Sequence, residues 1–507
     1  MGEVIDKNSF GKIRSALKKD NKKIILCHGV FDLLHIGHIQ HFHEAKSMGD
    51  ILVASVTAAK FVRKGPDRPY FDDRQRLEFL AAIKMIDYVI LSESYTAEDI
   101  IPVVQPDIYV KGAEYSKAED DITGKITDEA ALVRKYGGKI CFTGGEVYSS
   151  TKLINNVMPV FSNELKEYLI SFSKNHCKDE ILKYVDHVQD KKILVVGDVI
   201  IDEYVFCRMQ GTMSKNIGYS AKFIKNEMYM GGSIAIARHL AEFTENVTLL
   251  SIMGKEADVW DLVQKKYNFK LDIIRTEKIN TIVKKRYVEA DAKRKTLDKI
   301  FAINNLPEQM EIPKDVMEEF KSELCQIIGQ YDAVFLCDFG HGLIDGEIRE
   351  TIERMATKII LNCQTNSSNY GLNLITKYKK ADYFTLDERE LRLAFSDYSK
   401  KQEELLMRLA ELLKGKGCLT CGSKGCLYIE GKQLYTCPAF VLDVSDTIGA
   451  GDAFYSLFGL MELVDAPMEI AAFMGNIAGA LASNITGNKE PVRKVDILKY
   501  MSTLLNF

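Results

Sequence analysis

No apolar run in the chain approaches the ~20 residues that a membrane-spanning helix needs, and the opening MGEVIDKNSFGKIRSALKKD is polar. Neither a span nor a secretory leader is therefore expected. A dominant charge sign is also missing: 67 Lys and Arg face 71 Asp and Glu, for a net charge of -4. That balance gives no global reason to expect nucleic acid or membrane as a partner. Internal repeats and low-complexity tracts are absent. Cysteine is present but unpaired in number, with eleven residues scattered through apparent strands, so a disulfide framework is not expected and a reducing, cytoplasmic setting is. Cys418, Cys421, Cys426 and Cys437 admit two readings, a loose zinc-type array or small buried hydrophobes in strands. The second is preferred, because zinc sites usually repeat a tight Cys-x-x-Cys pair.

What is there is an ordinary globular composition, 46% apolar and 27% charged, over a length too great for one core. Residues 22–157 alternate short apolar runs (KIILCH, ILVASV, DYVIL, DIYVK, KICFTG) with stretches of helical spacing. This is the pattern of a parallel sheet with crossover helices. Residues 162–186 are polar and helix-prone. A second series starts at Lys192 with KILVVGD, NVTLLSIMG, DAVFLCDFG, KIILNC, ADYFTL and GCLTCG. Two β-prone insertions, 203–229 and 279–305, are expected to form a small sheet standing off the second domain. The expectation is an α/β chain of two tandem domains: a Rossmann-like domain over 1–158, a helical linker over 159–187, and a second α/β domain with a small β-sheet lid over 188–507.

The first chemical constellation follows the first strand of that series. Five of nine histidines, His28, His35, His38, His41 and His43, fall in one loop and helix start. A helix N-terminus after the first strand of a parallel sheet favours phosphate. Gly29 and Gly37 permit close backbone approach, and two imidazoles can hold phosphate oxygens as charge moves during transfer. A metal site from His35, His38, His41 and His43, or plain structural histidines, are the competing readings. Gly29-x-Phe31-Asp32-x-x-His35-x-Gly37-His38 resembles the HxGH signature of the cytidylyltransferase-like nucleotidyltransferases. The likeness continues through Lys64-Gly65-Pro66-Asp67-Arg68-Pro69, Arg74-Gln75-Arg76, Val110-Lys111-Gly112-Ala113-Glu114-Tyr115 and Ser149-Ser150-Thr151. The resemblance implies attack of a phosphate monoester on the α-phosphate of CTP or ATP, with pyrophosphate released. It implies catalysis by His35 and His38 and nucleotide or phosphate binding by Gly29, Phe31, Asp32, Lys64, Arg76, Lys111, Gly112, Ser150 and Thr151. Glu114, and the lack of an arginine before the terminal motif, depart from the family pattern and leave the acceptor open.

The second constellation is Asp446-Thr447-Ile448-Gly449-Ala450-Gly451-Asp452, leading into the apolar stretch Ala453 to Leu463. Glycines here let backbone N–H groups converge before a helix as an anion hole, and an aspartate at its mouth can take a proton from an attacking hydroxyl. A structural turn with a capping aspartate is the plainer alternative. The segment resembles the DTxGAGD signature of the ribokinase (PfkB) carbohydrate kinases, with the likeness running from about 190 to the C-terminus. By that resemblance Asp452 is the base, and Gly449, Ala450 and Gly451 form the anion hole. Thr420, Gly422 and Gly425 would hold ATP, and Glu390 would order Mg²⁺ through water. Asp198, Asp202, Gly231, Gly232, Ser233, Lys284 and Arg286 would face the sugar. Ala235 stands where the family has a sugar-touching asparagine, Asp387 stands where it has Asn, and Asn362-Cys363-Gln364 replaces the commoner Asp-Pro-Lys.

Taken together, the two halves are similar to the bifunctional heptose-phosphate kinase/heptose 1-phosphate adenylyltransferases, with the domain order reversed. That similarity implies a cytoplasmic, homodimeric enzyme that uses ATP, CTP or ATP as nucleotidyl donor, and Mg²⁺, to make an NDP-sugar for surface glycans. A nucleotidyltransferase carrying a non-catalytic sugar-binding kinase fold, and a non-enzymatic regulatory or assembly protein, remain the alternatives.

Overall fold

A computed structural model describes residues 2–65, 68–112, 125–144, 161–214, 217–264, 267–291, 296–306, 311–440, 444 and 446–506. It divides into two compact α/β units, one of Met1–Leu169 with Leu498–Phe507 and the other of Ile170–Ile497. The stretch between the two strand series holds the helices Asn163–Asn175 and Lys178–His187.

The first unit is a six-stranded parallel sheet of β1 (Glu3–Ile5), β2 (Ile24–Gly29), β3 (Ile51–Thr57), β4 (Tyr88–Ser92), β5 (Ile108–Lys111) and β6 (Lys139–Phe142). Their spatial order is β1-β4-β3-β2-β5-β6. Strands buried on both faces read as unbroken apolar runs. In β2, Ile25 and Cys27 enter one core cluster with Phe42 and Leu52, while Ile24 and Leu26 enter another with Phe10 and Ile101. The strand order reverses between β2 and β5, and ligands of such sheets bind in the crevice beyond the carboxyl ends of strands at that point. The histidine loop after β2 and the end of β5 at Lys111 both lie there. The edge strand β1 was not among the expected strands: at three residues, with an exposed Glu3 and Val4, it carries no periodic signal.

The second unit has a nine-stranded sheet built from β7 (Ile193–Gly197), β10 (Val247–Gly254), β11 (Lys270–Thr276), β14 (Ala333–Asp338), β15 (Ile359–Cys363), β16 (Tyr383–Asp387), β17 (Lys416–Thr420), β18 (Cys426–Glu430) and β19 (Gln433–Cys437). Its order is β11-β10-β7-β14-β15-β16-β17-β18-β19. It is parallel up to β17, and β18 and β19 are antiparallel. The two insertions pair into a separate four-stranded sheet, β13-β12-β8-β9, with β8 (Val199–Thr212), β9 (Tyr219–Gly231), β12 (Ile282–Asp291) and β13 (Thr296–Asn305). The helix Ala450–Leu463 is buried at every position from Ala453 to Leu463. A largely apolar helix buried all round lies inside a core, so this one is a fixed platform for the loop at its start. Cys418, Cys426 and Cys437 are buried, as small hydrophobes are.

Candidate active sites

In the second unit a cavity of about 300 Å³ opens at the carboxyl ends of β14 to β17, between those ends and the small sheet. Asp202, Lys284 and Arg286 line it from the small sheet, and Gln364, Glu390 and Thr420 from the main one. Gly449, Gly451, Asp452 and Asn488 complete it. The loop before the helix is held by Asp446, which is not a ligand group. Its carboxylate accepts from Ile448 N (3.1 Å), Gly487 N (3.0 Å) and Tyr204 Oη (3.1 Å) and pairs with Lys299 at 3.2 Å. Gly449 then takes φ +85°, and a Cβ there would lie 2.2 Å from Asn488 Oδ1, so only glycine fits. The Ala450 N–H reaches Thr447 O at 3.3 Å, and the Ala453 N–H closes the first helical bond to Gly449 O at 2.9 Å. Among the described residues the N–H groups of Gly449, Gly451 and Asp452 have no acceptor. The helix N-terminus thus offers donors and a positive dipole end to an anion.

Asp452 borders the cavity beside those donors. Burial pushes its pKa up to about 6, with Asp202 adding to the rise and the Gln364 amide and Lys284 opposing it. A carboxylate poised near neutral pH suits proton acceptance. Arg286 Nη2 pairs with Asp202 Oδ1 at 2.9 Å, and burial lowers the Lys284 pKa while Asp202 raises it. Gly231 leaves room for Asp202, since a Cβ there would meet Asp202 Oδ2 at 2.4 Å. Asp198 and Ser233 are not among the cavity-lining residues. Ser233 is fully buried with its hydroxyl given to Gly197 O (3.0 Å) and Asp198 O (2.9 Å), so it braces the glycine turn. Burial and Asp338 push Asp198 up to about 7. Ala235 is buried within the helix Gly232–Leu240.

Glu390 takes Thr365 N at 2.8 Å and Asp387 N at 2.9 Å, while Asp387 Oδ1 takes Glu390 N at 2.7 Å. This reciprocal cap fixes both side chains at the cavity. Burial and the Asp387 charge push Glu390 up to about 8. Thr420 lines the cavity. Gly422 and Gly425 form the turn after it at φ +58° and +89°, where Gly425 has no room for a Cβ beside Cys437 O. Sequence reasoning marked Asn362 and Gln364 only as replacements for an expected Asp-Pro-Lys stretch and assigned them no role. It missed Asn488, which had no signal.

In the first unit, His35 and His38 form a pair with ring centroids 4.0 Å apart, set by the helix Ile36–Ser47. His38 Nδ1 accepts a long hydrogen bond from the His35 backbone N–H at 3.4 Å, which places the ring proton on Nε2. Burial and the neighbouring His35, His41 and Lys64 lower His38 to about 3, and burial lowers His35. Both rings are neutral at pH 7. The other histidines are committed elsewhere. His28 Nδ1 meets Ser55 Oγ at 2.7 Å and His41 Nδ1 meets Thr143 Oγ1 at 3.0 Å, while His43 is exposed. Among the described residues no three His, Cys, Asp or Glu side chains are grouped to hold a metal ion. Gly29 admits the Phe31 ring, 3.1 Å from where a Cβ would stand. Phe31 itself adopts φ +47° and meets His38 edge-on at 5.6 Å.

Three of the expected phosphate contacts are placed differently. Arg76 is fully buried and donates to Phe71 O (3.1 Å), Val30 O (2.8 Å), Thr57 O (2.8 Å) and Asp73 Oδ1 (2.5 Å). It ties the histidine loop to β3 and to its own helix, with four of its five N–H donors spent inside the protein. Asp32 is buried, accepting from Phe71 N at 3.0 Å and Arg68 Nη1 at 3.4 Å, and so anchors the segment after Arg68. Lys111 pairs with the buried Glu129 at 2.9 Å. Gly112 follows at the end of β5. Ser150 and Thr151, like Ala113 to Tyr115, lie outside the described residues.

Residues 190–494 match the family described as pfkB family carbohydrate kinase, and residues 26–156 match the family described as cytidylyltransferase-like. Among curated proteins, the bifunctional protein HldE of Geobacter metallireducens is 35% identical over 157 residues, 30% of this chain and 30% of the relative. The bifunctional protein HldE of Citrifermentans bemidjiense is 37% identical over 142 residues, 27% of each. The chain therefore spans about 30% of the length of the curated relatives it matches. Among solved structures, phosphofructokinase-2 from Escherichia coli superposes with a TM-score of 0.50 at 11% identity, covering 62% of this chain and 99% of that one. At that identity the likeness is one of fold. With the longer match running over more than half of its residues, the chain belongs to the pfkB family of carbohydrate kinases, and a cytidylyltransferase-like domain precedes the kinase domain along it.

Proposed function

We propose that the chain is a bifunctional enzyme that phosphorylates a sugar with ATP and transfers a nucleotidyl group from CTP or ATP to a sugar phosphate. The observation that carries this reading is the pairing of Asp452 with acceptor-free N–H groups at one cavity. The sugar lies against Asp202, Lys284 and Arg286. Asp452 takes the proton of the attacking hydroxyl as its oxygen bonds to the γ-phosphorus, and the bond from that phosphorus to the β-bridging oxygen breaks, giving ADP. The N–H groups of Gly449 and Gly451 hold the charge of the transferring group. Mg²⁺ suits this site as an ion carried by the triphosphate, because among the described residues Glu390 has no two acidic partners grouped with it to hold a resident metal. When bound, the ion supplies charge neutralisation.

In the other unit, an oxygen of a sugar phosphate attacks the α-phosphorus of the nucleotide and pyrophosphate leaves. His38 Nε2–H and His35 donate to the phosphate oxygens, and Lys64 supplies positive charge. The reading places the product as an NDP-sugar, of heptose or a related sugar, for surface glycans. A phosphorus NMR screen with Mg²⁺, ATP or CTP, and a panel of sugars and sugar phosphates tests it. Sugar-dependent ADP and sugar-phosphate-dependent pyrophosphate are expected. Formation of neither by folded protein across the panel would overturn the reading, and pyrophosphate without any ADP would favour a non-catalytic kinase fold.

A further inference from the structure

Gln364 sits at the end of β15 with its backbone held on both sides. Its N–H donates to Asp338 O at 2.8 Å, and its carbonyl accepts from Asn373 Nδ2 at 3.0 Å. Its side-chain amide has two protons, and both are used: Nε2 lies 2.8 Å from Asn362 Oδ1 and 2.9 Å from Asp452 Oδ1. Asn362 is itself fixed, its Nδ2 donating to Thr385 O at 3.1 Å and Thr385 Oγ1 at 3.2 Å. The result is a chain of hydrogen bonds from β16 through β15 to the Asp452 carboxylate. A neutral amide gives this carboxylate a directed donor without adding a charge.

We infer that Gln364 is a positioning residue for the proposed phosphoryl transfer, holding Asp452 by Oδ1 so that Oδ2 is left to take the proton of the acceptor hydroxyl. This rests on Asp452 acting as the base. The other groups that act on Asp452 are Asp202 on β8 and Lys284 on β12, with Glu390, Cys337 and Tyr455 also sensing its charge. Gln364 is the only one of them for which a hydrogen bond to the carboxylate is seen among the described residues.

The test follows the Asp452 carboxyl by carbon NMR in aspartate-labelled full-length protein, its signal identified by its absence from Asp452→Asn. Kinase turnover is measured with ATP and whichever sugar gives the most ADP. Gln364→Leu is expected to raise the pH at which Asp452 titrates and to cut kcat about tenfold or more, with the KM for ATP within twofold. Gln364→Lys keeps a donor and adds a charge, so it is expected to restore much of kcat and move the titration below that of wild type. If Gln364→Leu fails to fold, the Gln364→Lys titration decides alone. Wild type without sugar-dependent ADP would overturn the reading on which this rests. Wild-type activity with an unmoved Asp452 titration in the variants would overturn the positioning role alone.

Discussion

The two sites bury titratable groups with opposite consequences. In the kinase unit burial works against an anion and lifts Asp452 to about 6. In the nucleotidyltransferase unit it works against cations and lowers His38 to about 3. Desolvation disfavours whichever form is charged. The kinase site is left with a carboxylate ready to share a proton, while the other is left with two neutral rings that donate hydrogen bonds and hold no net charge. The kinase cavity also presents Lys284 and Arg286 beside the helix N-terminus, whereas Lys111 of the other unit is paired with the buried Glu129. On the proposed reading, one site removes a proton from a neutral hydroxyl and the other takes an acceptor that is already an anion.

The largest expected break in this comparison is Asp452→Asn, which removes the base and should lower sugar phosphorylation by about 10²- to 10⁴-fold in an ADP-release assay, with pyrophosphate release within twofold of wild type. Next is Arg76→Leu, which leaves Asp73 and three carbonyls without their buried partner. It should cost about 3–5 kcal/mol in the first unit, seen as an earlier urea transition in the circular dichroism of that unit. The kinase site contains no group that Arg76 touches, so its cavity should keep its activity wherever the second unit remains folded.

The pH dependence sharpens the contrast. Asp452 must be ionised to accept a proton, and its pKa is raised, so kcat of the kinase should fall about tenfold per pH unit below about 6. Nucleotidyl transfer should show no limb from His38 between pH 5 and 8, because burial and its cationic neighbours lower it to about 3 and leave it neutral throughout that range. A kinase profile flat to pH 5, or a nucleotidyl-transfer limb near 6.5, would break the comparison. The smallest effect is Gly449→Ala. A Cβ at φ +85° against Asn488 costs about 1–3 kcal/mol, expected as a lowered Tm of the second unit and a raised KM for ATP.

Much of this was legible in the sequence because it is local. The apolar runs of β2, β3 and β7 mark buried parallel strands, and Gly449 before a largely apolar helix marks a backbone turn on a rigid support. The histidine loop was legible as a site for the same reason, since it follows the first long strand of the series. What sequence does not carry is where a side chain spends its hydrogen bonds. Arg76 is a charged residue beside other charged residues, and only the tertiary contact with Val30 and Thr57 turns it into a brace. Ser233 sits in a glycine turn that reads as a sugar loop, yet its hydroxyl faces the carbonyls of β7 and its end. Gln364 and Asn488 reach the cavity from segments with no turn or helix signature of their own.

The central claim is that two separate chemistries reside in two separate sites. Phosphorus NMR of Asp452→Asn and His38→Ala, each shown to be folded and each given Mg²⁺, ATP, CTP, a sugar and a sugar phosphate, tests it most directly. The account predicts a crossed pattern: pyrophosphate without sugar-dependent ADP from the first, and sugar-dependent ADP without pyrophosphate from the second. Loss of both products in either folded variant would contradict it.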